Sequence, residues 1–188
     1  MEGLHVRALD ASTWPDFAHL VERNDGLWGC WCMAFHAEGA GVAKTAAQSR
    51  AEKEARVREG RAHAALVYDD GTCVGWCQFG PPDELPRIKQ RREYAQGAAA
   101  LPDWRITCFF VDGKYRHRGV AAAALEGALR EIARLGGGMV ESCPQDTDGR
   151  AIGESSLYNG TLSMFESHGF ERARPLGRDR WVVTKVVP

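Results

Sequence analysis

The chain has 188 residues, 44% hydrophobic and 26% charged, with 24 Lys and Arg against 25 Asp and Glu. A formal charge of -1 offers no global basicity to attract nucleic acid or an anionic membrane. No run reaches membrane-spanning length, and Met1-Glu2-Gly3-Leu4-His5-Val6-Arg7 has no basic-then-apolar leader, so a cytoplasmic chain is expected.

The length fits one domain over 1–188 with a sizeable core. Residues 4–9 alternate enough for a first strand. Ser12-Thr13-Trp14-Pro15-Asp16 starts a helix, with Ser or Thr as cap and Pro inside the first turn; it should end near Asn24-Asp25-Gly26. A charged amphipathic helix over 44–59 is closed by Gly60. Strands over 62–68 and 72–79 are joined by Asp69-Asp70-Gly71, a hairpin signal, and Pro81-Pro82 ends the hairpin. An insertion at 81–102 is predicted to hold a polar, basic helix over 83–96. Residues 104–111 form a central strand, apolar from Thr107 to Val111 and so buried on both faces. Asp112-Gly113 breaks it. From Val120 the chain turns helical, with Ala121 to Ala124, Leu125, Ala128, Leu129 and Ile132 at helical spacing, ending at Gly136-Gly137-Gly138. A strand over 139–142, a last helix capped by Ser155 or Asn159, and closing strands over 170–173 and 181–187 complete the chain.

Between the central strand and its helix lie Arg116, Arg118 and Gly119. A helix N-terminus has free N–H groups and a positive dipole end, which attract an anion. Gly119 has no Cβ to hold that anion away, and two arginines add charge suited to phosphate. The residues read as a diphosphate cradle. The six cysteines, Cys30, Cys32, Cys73, Cys77, Cys108 and Cys143, sit in apolar contexts and read as reduced thiols. Cys30-Trp31-Cys32 with His36 is dense in metal-ligand types but lacks a second ligand pair, so no metal is expected. A metal or redox module there is the weakest of three readings.

Arg116-His117-Arg118-Gly119-Val120-Ala121 resembles the Arg/Gln-x-x-Gly-x-Gly/Ala signature of the GNAT (GCN5-related) N-acetyltransferases, in its strand–turn–helix setting. Thr161-Leu162-Ser163-Met164-Phe165-Glu166-Ser167-His168-Gly169-Phe170-Glu171 resembles that family's last helix and its exit. The resemblance is strong over 103–172 and only architectural before that. It implies an α/β GNAT fold: a mixed, largely antiparallel central sheet flanked by helices on both faces, splayed at its two central strands, in the order β-α-α-β-β-β-α-β-α-β. It also implies acetyl-CoA as cosubstrate, held by Arg116, His117, Arg118, Gly119, Val120 and Ala121. The backbone N–H of Phe110 or Val111 would polarise the thioester carbonyl. The family commonly has a tyrosine acid on the last helix; here that position is Phe165, which donates no proton. Tyr158, seven residues earlier, is a substitute acid or an aromatic staple at the helix entry. Asn159 is a helix cap or a cofactor ligand.

For the base, Glu141 on the strand beside the central one lies where the two strands would splay, or is a solvent-facing strand-end charge. Cys143 lacks a flanking His that would make it an acyl carrier. The aromatic, sulfur-rich segment Leu27-Trp28-Gly29-Cys30-Trp31-Cys32-Met33-Ala34-Phe35-His36 would wall the acceptor site, offering Trp28, Trp31, Phe35 and His36, with the insertion as a lid. An apolar wall suits an amine on an aromatic or aliphatic body. The leading reading is an acetyl-CoA-dependent N-acetyltransferase, with direct attack by a primary amine in a ternary complex. The alternative is a GNAT-fold module that binds CoA or acyl-CoA without turnover. The implied partners are a CoA thioester and a small amine, without nucleic acid or membrane, and a homodimer is left open.

Overall fold

The computed structural model describes residues 3–25, 29–37, 44–97, 100–148, 153 and 157–188. Strands β1 (Leu4–Ala8), β2 (His63–Asp69), β3 (Thr72–Gly80) and β4 (Trp104–Val111) lie side by side, each antiparallel to the next. β4 has a parallel partner, β5 (Gly138–Ser142), reached through helix α4 (Val120–Arg134). β5 pairs antiparallel with β7 (Arg180–Val187), and β7 with β6 (Glu171–Leu176). The sheet order is β1-β2-β3-β4-β5-β7-β6, the mixed, largely antiparallel arrangement expected, with two closing strands.

Alternation along β2 explains why helices cover both faces. Ala64, Leu66 and Tyr68 join a core with Trp14, Phe17 and Leu20 of α1 (Trp14–Glu22) and Val57 of α2 (Ala46–Arg58). Ala65 and Val67 point the other way, into a core with Ala124, Leu125, Ala128 and Ile132 of α4. A strand apolar on both sides has no solvent face to offer. α4 sits close to the sheet because Gly127 has no side chain: a Cβ there would lie 2.4 Å from Val6 Cγ1.

Local chemistry sets the helix starts. Thr13 does cap α1, but its hydroxyl donates to Ala8 O at 2.9 Å and makes no cap bond. α2 opens on a capping box, with Thr45 Oγ1 accepting from Gln48 N–H and Gln48 Oε1 from Thr45 N–H. The helix expected over 83–96 is shorter: α3 spans Arg91–Gly97. Pro86 lies inside the predicted span, and it disfavours helical backbone at Leu85. Instead Glu84 and Leu85 N–H groups turn back onto Pro81 O. α5 (Leu162–Ser167) is capped by the Thr161 hydroxyl, which accepts from Met164 N–H at 3.3 Å. Asn159 is therefore not its cap, and Ser155 lies outside the described residues. Among the described residues no helix is long and apolar enough to cross a membrane.

The feature that positions the site is the parting of β4 and β5. They pair only from Trp104, Arg105 and Ile106 to Val140, Glu141 and Ser142. Beyond that the turn before α5 enters the gap: Phe109 N–H donates to Tyr158 O at 2.6 Å, and Asn159 Nδ2 to Thr107 O at 2.5 Å.

Candidate active site

β4 ends at a pinned turn. Asp112 accepts from Arg23 Nε at 3.0 Å, Asn24 Nδ2 at 3.2 Å and the Lys114 N–H at 3.1 Å. Burial pushes its carboxyl pKa up, but these bonds prevail and hold it below the ordinary range. After a 3-10 turn at Gly113–Tyr115 the chain reaches Gly119, whose φ of +81° lies in the left-handed region where only glycine is relaxed. Gly119 is the N-cap of α4, whose first-turn N–H groups have no intrahelical acceptors. They border a cavity of about 710 Å³.

Phe110, Val111, Arg116, His117, Gly119, Val120 and Ala121 all line that cavity. Two expected residues do not. Arg118 turns back to Asp69, 3.2 Å away, with its guanidinium over the Tyr115 ring, so it braces the loop. Asn159 is buried, bonded to Thr107 O and to Arg180 Nη1 at 2.8 Å. It holds the wall of the cleft rather than facing it.

A second cavity of about 470 Å³ shares Phe109, Phe110 and Tyr158 with the first. Phe35 lines it, as expected, together with Trp76, Cys30, Cys32, Cys108 and the 87–89 segment. Trp31 is instead 3% exposed in the core, its ring 6.0 Å from Trp14 and 6.2 Å from Phe17, under the Arg50 guanidinium. Trp31 and Cys32 both have φ of +47°, and this reversal divides neighbouring residues between core and cavity. Such backbone costs on the order of 1–2 kcal/mol per non-glycine residue. His36 is also core; burial first, then the charges of Lys53 and Arg56, push its pKa down to about 2. Trp28 lies outside the described residues. Trp76 escaped the sequence reading because its place follows from register: it sits opposite Phe110, ring centroids 5.0 Å apart.

Tyr158 stands at the junction of the two cavities, in the turn before α5 rather than on the helix. Lys89 Nζ lies 5.4 Å and the Arg180 guanidinium 5.5 Å from its ring centroid. Phe165, where the resemblance leads one to expect a tyrosine, is 0% exposed, edge-on to Phe109 and Phe170. Glu141 is buried, accepting from Tyr94 Oη at 2.7 Å with Arg105 Nε at 3.8 Å. Burial pushes its pKa up against both partners. It borders a small pocket that shares Phe35, Arg87 and Lys89 with the second cavity. Arg105 carried one usable signal: a charge in an apolar strand needs a buried partner.

The same architecture recurs in solved structures. An N-acetyltransferase from Staphylococcus aureus Mu50 is similar at a TM-score of 0.55 and 14% identity, over 100% of both chains. YncA from Salmonella typhimurium, solved with its cofactor acetyl-CoA, has a TM-score of 0.55 and 13% identity, over 100% of this chain and 95% of its own. The ribosomal-protein-S18-alanine N-acetyltransferase from Escherichia coli has a TM-score of 0.50 and 12% identity, over 98% and 94%. At these identities the likeness concerns the fold. No curated protein matches the chain by sequence. The family model of the acetyltransferase (GNAT) family matches residues 25–153, which hold β2 to β5, the pinned turn and all of α4, and this chain belongs to that family.

Proposed function

We propose that this protein moves the acetyl group of acetyl-CoA to a primary amine of a small molecule or peptide, by direct attack in a ternary complex in the cytoplasm. The observation that carries the reading is the meeting of two cavities at Phe109, Phe110 and Tyr158. The larger one suits a diphosphate: Arg116 lines it, Gly119 leaves its backbone bare, and the start of α4 supplies N–H groups. YncA, which is similar in fold, was solved with acetyl-CoA. When bound, that cosubstrate supplies an activated acetyl thioester.

Hydrogen bonding along β4 supports Val111 over Phe110 as the group that polarises the carbonyl. Phe109 N–H points to the cleft side and Asp112 N–H to β3, at Val74 O. Alternation then turns Phe110 toward β3 and Val111 N–H toward the open side. Tyr158, which lines both cavities, is the residue that would protonate the leaving thiolate. Glu141, with its raised pKa, accepts the amine's proton through the side pocket. The second cavity is walled by rings and sulfur, which favours an amine on an aromatic or aliphatic body. The phenol-bearing residue Tyr158, lining both cavities, supports turnover over a module that only binds CoA.

Release of CoA thiol against a panel of aromatic and aliphatic amines tests this. Tyr158→Phe should lower kcat by roughly 10²-fold or more with CoA affinity unchanged, and Glu141→Gln should flatten the acidic limb of the pH–rate profile. CoA binding without thiol release for any amine would leave the non-catalytic module as the reading.

A further inference from the structure

Glu141, the base of the proposed transfer, is held by a residue of the insertion rather than of the sheet. Tyr94 of α3 donates from Oη to Glu141 Oε1 at 2.7 Å. Both residues are buried, at 5% and 7% exposure. A second group meets the phenol: Arg105 Nη2 donates to Tyr94 Oη at 3.3 Å, while Arg105 Nη1 donates to Leu85 O at 3.0 Å. Arg105 Nε is buried without a hydrogen bond and stands 3.8 Å from Glu141 Oε1. One guanidinium thus ties the start of the insertion, its helix and β5 together.

Tyr94 itself has little freedom. Its ring packs with Leu176 of β6 and Val182 of β7. The guanidinium groups of Arg174 and Arg105 lie 4.8 Å and 5.6 Å from its centroid, and Arg174 Nη2 donates to Tyr94 O at 2.9 Å. Gly97 lets α3 end against Arg174, since a Cβ there would lie 3.0 Å from Arg174 Cδ. Glu141 borders a side pocket of about 20 Å³, room for about one water. In so small a space the direction of the carboxylate decides whether a proton reaches it. The titratable and charged groups facing Glu141 are Tyr94 from α3, Arg105 from β4, Arg174 from β6, Cys143 just past β5, and Arg87 and Lys89 on the side pocket. Burial pushes the Cys143 thiol and the Tyr94 phenol each up to about 12. Both keep their protons at neutral pH, and Tyr94 remains a donor.

We propose that Tyr94 is a positioning residue for acetyl transfer: its hydroxyl fixes the Glu141 carboxylate toward the side pocket, which makes the insertion part of the active site. The proposal rests on Glu141 being the base. The amine nitrogen gives its proton to the carboxylate, directly or across one water, and solvent takes that proton afterwards. Tyr94 keeps its own proton throughout. A hydrogen bond donated to the charged form favours that form. Tyr94→Phe removes one oxygen and keeps the ring contacts and the bond from Arg174, so the insertion stays docked while the carboxylate becomes harder to ionise.

Two measurements test this. The first is the pH dependence of kcat for CoA-thiol release, taken with the fastest amine of a panel that includes phenethylamine and hexylamine. Its acidic limb should move up by about one pH unit in Tyr94→Phe. On the plateau kcat should fall, with the amine KM and CoA affinity unchanged. A merely structural role would alter KM or stability and leave the limb in place. The second is carbon NMR of the ligand-free wild type, which needs no amine. The Tyr94 ring carbon bearing the hydroxyl should titrate at the same midpoint as the Glu141 carboxyl carbon, and lose that titration in Glu141→Gln. The wild-type spectra decide if Tyr94→Phe fails to fold. A limb flattened by Glu141→Gln but unmoved by Tyr94→Phe, or a Tyr94 carbon that ignores Glu141, overturns the proposal and leaves Glu141 as the base. A limb unchanged in Glu141→Gln, or no thiol release from any amine, removes the base and this proposal with it.

Discussion

His36 is 1% exposed, and burial together with Lys53, Arg56 and Arg61 pushes its pKa from 6.5 to about 2. A base whose folded pKa lies below its unfolded one gains a proton only on unfolding. Stability is therefore complete above about 6.5 and falls as the pH drops below it. Between pH 6 and 5 this one group should remove roughly 1 kcal/mol. Urea unfolding at the two pH values should show a smaller loss in His36→Leu than in the wild type; equal losses would mean that His36 is solvated. The sequence marked His36 and Trp31 as pocket residues beside Phe35, and only Phe35 lines the cavity. Residue type could not separate them, because the sorting comes from two left-handed residues, Trp31 and Cys32, which no glycine or asparagine announces. Glu141 shows the opposite case: its place on the strand beside β4 was legible, while its partner Tyr94 comes from the insertion, which no periodicity ties to β5.

At the scale of elements, α4 is the piece on which both core and cradle depend. Its N-terminus borders the larger cavity, and its middle packs on β1 and β2 through Gly127. Gly127→Val would bring side-chain atoms into Val6 and Ala65, an overpacking that typically costs about 1–3 kcal/mol. Thermal unfolding should register a Tm loss of several degrees. Gly113→Ala, where a Cβ meets nothing within 4 Å, should shift it little. Equal shifts for the two would mean that α4 stands further from the sheet. The start of α4 was legible because the alanine-rich run and Gly119 carry their own conformational preferences. The insertion helix was overextended because its polar pattern continues through Pro86, and one missing N–H outweighs several favourable neighbours. For α5 the cap moved to Thr161, since Asn159 is spent on the β4 backbone.

Across the whole molecule, strands, helices and their order followed from local periodicity and turn residues, and the GNAT signature followed from six contiguous residues. The way two cavities meet did not, because it depends on β4 and β5 parting after Ile106 and on the turn bearing Tyr158 filling the gap. Both are long-range facts. The central claim is that the larger cavity, built on Gly119 and the start of α4, holds the CoA diphosphate. Calorimetric titration with CoA tests it most directly, comparing wild type with Gly119→Glu, which brings a side chain and a negative charge to a backbone position at φ +81°. Affinity should fall by well over tenfold, more than about 1.4 kcal/mol, in protein whose circular dichroism matches the wild type. A folded variant that binds CoA as tightly as the wild type would contradict the claim.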